Sequence, residues 1–461
     1  MARPTTAELH ERGRAARQRV ERGAHGSFRP AADRPDPLEV LAAQDRTRLP
    51  ELVGLRYARM ADSPLAFLRG AAAVMAADLA ATASTGLITQ LCGDAHVANI
   101  ETYATPERRL VLDITDFDET VRGPFEWDLK RMVTSLALVA RQSSADTEVA
   151  DAAVAMCVQA YQRALRARRK DDVLDVWYAS VDEHDVLRTL GERVDAGELG
   201  SSLLAASERE FRKARRRDSR RAARKLTEVV DGELRMREDP PVLSREALPP
   251  ARRAYAERFL RGYLASLPTH RRLLLERYEV VDTARRVVGI GSVGTRCFVV
   301  LLHGRDEDDP LVLQIKEASP SVWEPHLTTR PPRPHGRRVV EGQRTMQAAS
   351  DTFLGWTSAV GPDGVSRDYY VRQFRNAKGG LDATSLGVSA LVAYAGLCGR
   401  LLADAHARGG QAAELSGYLG KGGAAVAAMI RFAHAYADVT ERDHQRLVTA
   451  IRAGRVPHDP A

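Results

Sequence analysis

The sequence predicts an α+β fold in two lobes with a large helical insertion, and three observations carry that prediction. β-type patterning is confined to 87–116, to 278–316 and to one further run at 369–374. Helical spacing fills 129–230, 251–267 and 385–455. The chain has 461 residues, room for two or three domains or one large two-lobed molecule.

Composition narrows the class. At 44% hydrophobic and 28% charged residues, the chain reads as globular and water-soluble. A net charge of +7 and a pI near 9.3 fit an anionic ligand such as a nucleotide, although an arginine-rich composition produces the same values. Cys92, Cys157, Cys297 and Cys398 are scattered with no CxxC pair. That argues against a zinc site or a disulfide framework and suits a reducing cytoplasm. The first residues are charged, and no run of 18 apolar residues occurs. Neither a signal peptide nor a membrane span is expected, and the expected location is the cytoplasm.

Residues 1–36 are Arg-rich and then Pro-rich, and are expected to form a flexible segment: a frayed helix and a loosely docked linker. From 37 to 60 apolar residues recur at helical spacing, with Arg56 and Arg59 near the end. Ser63-Pro64 reads as the N-cap and first residue of a buried, Ala-rich helix running to about 83. Arg69 inside it is expected to pair with a carboxylate, or else with phosphate. A short strand at 87–91 delivers Gly93-Asp94, and an apolar run ends in Asp116-Phe117-Asp118. Amphipathic helices follow at 129–142, 145–169, 175–190 and 203–230. The last holds the basic run 209–225, REFRKARRRDSRRAARK. Without interleaved aromatics it reads as a solvated face rather than a nucleic-acid reader.

The second β stretch contains Gly289-x-Gly291-x-x-Gly294. A dinucleotide-binding glycine turn opens a helix, whereas 297–302, CFVVLL, is an apolar, β-branched strand. Strand, glycine turn, strand is a geometry that brings backbone and Ser292 close to phosphates. Lys316 ends the buried strand 311–316. A helix at 337–350 follows a Pro-rich loop and carries Glu341, the expected partner of that lysine. Glu317 and Glu324 compete, but neither falls on a helix. The strand 369–374 ends in Gln373-Phe374, and 376–380, NAKGG, reads as a hinge where adenine would pack and bond backbone groups. A long helix at 385–408 stops at Gly409-Gly410, and helices fill the rest to 455.

Asp94 and Asn99 are five residues apart in GDAHVAN. With Asp116 they supply what phosphoryl transfer from ATP needs. One carboxylate orients and deprotonates an acceptor hydroxyl, and hard oxygen ligands hold Mg²⁺. The alternative is a plain turn followed by an acidic strand end; the apolar strand before Asp116 favours the metal reading.

GDAHVAN with DITDFD resembles the GDxHxxN…DF pattern of aminoglycoside phosphotransferase-like and choline-kinase-like enzymes. The resemblance implies Asp94 as catalytic base, Asn99 and Asp116 as Mg²⁺ ligands, and Asp128 in WDL as a structural carboxylate. It implies a grip on the α- and β-phosphates for Lys316, and a flap over them for Gly289, Gly291 and Gly294. His96 would line the acceptor side or be structural; Asp118 would bind a second Mg²⁺ or be a solvated carboxylate. Such enzymes run flap, lysine strand, glutamate helix, hinge, long helix, catalytic loop, metal Asp. Here the last two come first, at 93–118, and the others follow at 287–408. A circularly permuted protein-kinase-like fold is therefore expected. Its units would be 1–36 (flexible), 37–135 (catalytic loop and metal Asp), 136–280 (helical insertion), 281–380 (β domain with glycine turn, lysine and hinge) and 381–461 (helices).

The stretches RYARMADSPLAFLRGAA, LCGDAHVANIE, VVEGQRTMQAASDTFLGW and YYVRQFRNAKG identify the chain as a member of a bacterial family known as domain of unknown function twenty-two fifty-two. Where relatives tend to have Asp in RQLRDMKG, this chain has Asn376, so no metal or acid role falls to it. The expected function is ATP- and Mg²⁺-dependent phosphotransfer to a hydroxyl of a small molecule. Its rivals are an inactive nucleotide-binding regulator, an AMP-transferase with ATP reversed, and a basic protein whose insertion binds nucleic acid. No residue of the insertion names the acceptor.

Overall fold

The computed structural model describes residues 3–143, 146–245, 250–361 and 363–459, and of 250–254 the backbone alone. The fold mixes α and β, as expected. Strands β1 (Ile88–Leu91), β2 (Ile100–Ala104), β3 (Leu110–Ile114) and β4 (Val121–Pro124) make two antiparallel pairs, β1 with β4 and β2 with β3. β5 (Thr227–Val230) and β6 (Glu233–Met236) form a hairpin. The main sheet uses β7 (Leu243–Arg245), β8 (Glu279–Arg286), β9 (Cys297–His303), β10 (Pro310–Glu317), β11 (Gly355–Val360) and β12 (Ser366–Gln373). Its order is β11-β12-β10-β9-β8-β7, antiparallel throughout.

The continuous apolar runs of β9 and β10 follow from burial on both faces, since successive side chains of a strand point to opposite sides. Val299, Leu301 and Val312 pack with Ala222, Leu226 and Phe374 on one face. Val300, Leu302, Leu311 and Leu313 pack with Tyr263 and Leu267 on the other.

The largest core surrounds the helix Phe125–Gln142, which is buried on every side from Phe125 to Ala140. Its buried polar groups are bonded: Glu126 accepts from the Thr85 amide at 2.7 Å, and Lys130 donates to Thr82 at 3.0 Å. Helices Thr147–Arg168, Val388–Arg408 and Ala424–Arg452 pack around it. Among the described residues one helix, Val388–Arg408, is long and apolar enough to cross a membrane, and 67% of its apolar window is buried inside the fold.

Four expectations are corrected. The N-terminal segment is not loose: Thr6–Arg19 is a helix with a capping box at Thr5 and Glu8. A Cβ on Gly13 would lie 1.9 Å from the Glu414 carbonyl, so the helix backbone packs directly on the helix Ala412–Leu419. The Ser63 cap is present, its hydroxyl oxygen accepting from the Ala66 amide at 3.1 Å, but the helix breaks at Ala71 into Pro64–Gly70 and Ala72–Ala80. The basic run is split at Asp218, whose carboxylate caps a new helix, Ser219–Leu226. The 136–280 stretch is not wholly helical, because β5, β6 and β7 lie within it and β7 joins the main sheet.

Candidate active site

The turn after β1 is held from three sides. Gly93 has φ +82°, and a Cβ there would lie 2.1 Å from the Glu119 carbonyl, so both conformation and space demand glycine. Asp128, in the first turn of Phe125–Gln142, accepts from the amides of Cys92 (2.8 Å) and Gly93 (3.0 Å). The Trp323 indole donates to the Gly93 carbonyl at 2.7 Å and stacks on Trp127 with centroids 4.5 Å apart. His406 Nε2 lies 3.3 Å from Asp128, and its Nδ1 lies 2.7 Å from the Tyr161 hydroxyl. Asp128 is thus a structural carboxylate, the role read for it in the sequence. His406 and Trp323 went unassigned there; their only signal was a polar or aromatic residue inside an otherwise apolar segment.

Asp94 faces Arg131, one turn beyond Asp128 on the same buried helix. Arg131 donates to Asp94 Oδ1 at 2.5 Å and to the Leu68 carbonyl at 2.8 Å. His96 Nε2 lies 3.6 Å from Asp94 Oδ2. Burial opposes ionisation of Asp94, but the Arg131 guanidinium and His96 outweigh it and hold the carboxyl below the usual aspartate range.

Asn99 joins the loop to the second acidic motif. Its Nδ2 donates to the carbonyls of Asp94 and Asp116, both at 3.1 Å, and its Oδ1 accepts from the Asp116 amide at 2.7 Å. With 3% exposure, it is a tie between two backbone segments. Its Oδ1 has one lone pair engaged by the Asp116 amide, so a cation held there would take the second.

Lys316 enters from β10. Its ammonium is buried and lies 2.5 Å from Asp118 Oδ2 and 3.9 Å from Asp116 Oδ1. The Tyr370 hydroxyl, from the facing position on β12, donates to Asp118 Oδ1 at 2.5 Å. Burial disfavours the lysine charge, but the two aspartates more than compensate and raise its pKa. For Asp116, Lys316 and Arg372 outweigh burial and hold the carboxyl down. Glu341 is not the partner of Lys316. It forms an exposed pair with Arg337 one turn away, at 2.7 Å, because its helix (His335–Met346) turns Val339, Val340 and Gln343 inward instead. Asp118, expected to be a second metal ligand or solvated, takes that place.

The glycine turn joins β8 to β9 with Gly289 (φ +66°) and Gly294 (φ +90°) in the left-handed region. It is docked by its carbonyls: Arg59 donates to Gly289 at 2.8 Å, and Arg48 donates to Gly291 at 2.9 Å and to Val293. Gly291 backs onto the Arg69 carbonyl. Arg69 itself has no ion pair among the described residues, contrary to expectation, and its buried Nε has no hydrogen-bond partner.

These segments enclose a cleft of about 290 Å³. Asp116 and Lys316 line it together with Gly289 and Ser292 of the glycine turn and with Gln373 and Phe374 at the end of β12, the hinge side. Asp94, Asn99, His96 and Glu341 do not line it, nor do Gly291 and Gly294. Arg286, Arg372, Arg375 and Lys378 do, and sequence reasoning passed over them. Arg372 donates to the Thr115 carbonyl at 3.1 Å and to Gln314 at 3.2 Å. Larger cavities, about 480 and 670 Å³, lie elsewhere and are lined by none of the predicted residues.

The hinge differs from expectation. The Ala377 amide donates to Arg217 and Arg375 carbonyls, and Gly379 exchanges both backbone bonds with Thr102 of β2 (2.7 and 3.1 Å). Those amides and carbonyls are therefore not offered to an adenine. Asn376 bonds Ala104 and Arg108, a structural role.

Mg²⁺ takes one or two carboxylates and otherwise phosphate and water oxygens. Asp116, 45% exposed at its side chain and opening on the cleft, suits that chemistry. No cluster of three or more His, Cys, Asp or Glu groups suited to a metal exists among the described residues.

Neither a curated protein nor a solved structure matches the chain. A family model described as "Uncharacterized protein conserved in bacteria (DUF2252)" matches residues 48–450, and the chain belongs to that family.

Proposed function

We propose that the protein is an ATP- and Mg²⁺-dependent phosphotransferase acting on a hydroxyl of a small molecule, built as a circularly permuted protein-kinase-like fold. One observation carries the reading. Lys316 meets both aspartates of the DFD motif, 198 positions from Asp118 in sequence, and with Asp116 it lines a basic cleft shared with Gly289 and Ser292 of the glycine turn. The order β8, glycine turn, β9, lysine strand, helix, β11, β12, hinge also agrees with such a domain. The loop bearing Asp94 does not line the cleft but is tied to the backbone of Asp116, which does, through Asn99.

Phosphoryl transfer depends on positioning and charge neutralisation. Lys316 and Arg372 would neutralise phosphate oxygens, and Asp118 with Tyr370 would hold the lysine in place. Asp116 would hold Mg²⁺, which supplies further neutralisation when bound with the nucleotide. Asp94, kept ionised by Arg131, would orient the acceptor hydroxyl and take its proton. A depressed carboxyl pKa makes Asp94 a weak base, which suits a transition state with little proton transfer before the phosphoryl group moves.

A thermal-shift titration with ATP and Mg²⁺, on wild type and Lys316→Met, tests this. Binding to the folded state raises stability by RT ln(1 + [L]/Kd). A Mg²⁺-dependent rise, reduced in the variant relative to its own ligand-free baseline, is expected. No rise in wild type across nucleotides and metals refutes it. An adenylyl transferase with reversed nucleotide is the second reading, favoured by the arginines at the hinge end of the cleft; the mass added to an acceptor, phosphate or AMP, separates the two.

A further inference from the structure

Five cations gather at the hinge without carboxylate partners. Arg217, Arg221 and Lys225 recur every four residues along the Ser219–Leu226 helix and the turn before it. Arg375 faces them from just beyond β12, and Arg286 ends β8. Among the described residues none of the five forms an ion pair. Several buried or half-buried arginines elsewhere are paired: Arg34, Arg56, Arg131 and Arg168 each reach a carboxylate within 2.7 Å, whereas Arg344 and Arg372 are held by carbonyl oxygens. The acids near the hinge are already committed. Glu101 pairs with Lys378 at 2.6 Å, Asp218 caps its helix, and Asp382 caps its own turn.

Four of the five, all but Arg221, line two adjoining spaces. Arg286 and Arg375 wall the hinge end of the 290 Å³ cleft, and Arg217, Lys225 and Arg375 wall a neighbouring cavity of about 470 Å³. Arg375 and Lys378 belong to both. Arg286 has a buried Nε with no hydrogen-bond partner. Arg375 is held at φ +53°, an uncommon conformation for a non-glycine residue, which fits a position where function outweighs local strain. Burial and then the neighbouring Arg217 and Arg221 charges lower the pKa of Arg375, as burial and Arg375 do for Arg286. The carboxylates lining these spaces are bonded elsewhere, Asp351 to the Phe353 and Gln373 amides and Glu101 to Lys378, and none pairs with these cations among the described residues. Guanidinium forks match phosphate geometry in pairs.

We infer that the hinge mouth is a second anion site, distinct from the Lys316 end, at which Arg217, Lys225, Arg286 and Arg375 receive a phosphate group, with Arg221 adding its charge from the surface beside them. It accounts for part of the basic run 209–225, whose remaining cations stay solvated. Only the source of the phosphate rests on the reading proposed above: a phosphorylated acceptor, or the far end of a nucleotide lying reversed in the cleft.

The test is isothermal titration of the full chain with inorganic pyrophosphate at fixed ionic strength, alone and with saturating Mg²⁺ and the non-hydrolysable analogue AMP-PNP. Wild type is compared with the double variant Arg217→Gln/Arg375→Gln. Loss of about tenfold or more in pyrophosphate affinity in the variant is expected. Because the substitutions remove like-charge repulsion, the ligand-free Tm of the variant should be unchanged or higher, so the loss is not unfolding. Pyrophosphate binding that persists with AMP-PNP bound assigns the site to an acceptor phosphate. Competition, with AMP-PNP itself weakened in the variant, assigns it to a reversed nucleotide. Equal pyrophosphate affinity in both proteins, or none in wild type, overturns the site. Intact pyrophosphate binding without any response to AMP-PNP leaves the site standing and removes the nucleotide reading instead.

Discussion

Replacing Asp118 by Asn tests which carboxylate serves the buried lysine. The Lys316 side chain is 3% exposed, and Asp118 is its nearest partner, at 2.5 Å. Breaking a buried pair by neutralising one member costs about 3–5 kcal/mol when the other charge is left alone. Here Asp116 remains at 3.9 Å and the Asp118 side chain is 27% exposed, so water and the second aspartate recover part of that loss. A decrease of about 2 kcal/mol is expected, a Tm lower by about 2–4 °C for a chain of this size. The phosphates of ATP would then supply the missing charge, so the rise in Tm on adding ATP and Mg²⁺ should be larger in Asp118→Asn than in wild type. Glu341→Ala is the matched control. Its exposed pair with Arg337 is worth little, and a change within about 0.5 kcal/mol is expected. Differential scanning fluorimetry of the three proteins with and without ligand reads both effects. A Tm for Asp118→Asn equal to wild type, or a severe loss in Glu341→Ala, would refute the assignment. A smaller ligand response in Asp118→Asn would give Asp118 to the metal rather than to the lysine.

Three further outcomes follow from the same geometry. Asp94→Asn should abolish transfer, followed as ADP release with acceptor, yet retain the nucleotide-induced Tm rise; loss of nucleotide binding would make Asp94 structural. Gly93→Ala should cost at least about 3 kcal/mol in urea unfolding, because its Cβ would meet the Glu119 carbonyl at 2.1 Å in a left-handed backbone; wild-type stability would show that the turn can shift. Burial pushes the Glu119 carboxyl up to about 7, against about 4.5 unfolded. The folded state therefore binds more protons between those values, and this group's stabilisation, complete below pH 4.5, is lost as pH rises toward 7. Glu119→Gln should flatten that slope, changing stability at pH 8 relative to pH 5 by about 1–2 kcal/mol after allowing for partial exposure; parallel profiles for the two proteins would count against it.

Local chemistry made much of this legible in the sequence. The Ser63 cap, the strands of the second β stretch, the glycine turn and the apolar run before Asp116 each depend on residues adjacent in the chain. The structural role of Asp128 was reached only through the resemblance of Trp127-Asp128-Leu129 to a known motif, not from its neighbours' chemistry. What tertiary structure decided is which distant charges meet. Lys316 could have faced Glu341, Glu317 or Glu324; the rotation of one helix sent Glu341 to the surface and left Asp118 across the cleft. That Asn99 ties two backbone segments together was not visible in the sequence, because the segments it joins meet only in the fold. Arg131 showed no sign of its pairing with Asp94, and the basic run showed no sign that three of its cations reach the hinge. Secondary structure follows from neighbours in sequence and their spacing. The partner of a buried charge is set by the packing of elements hundreds of residues apart, where desolvation makes the choice energetically sharp but leaves no local pattern to read.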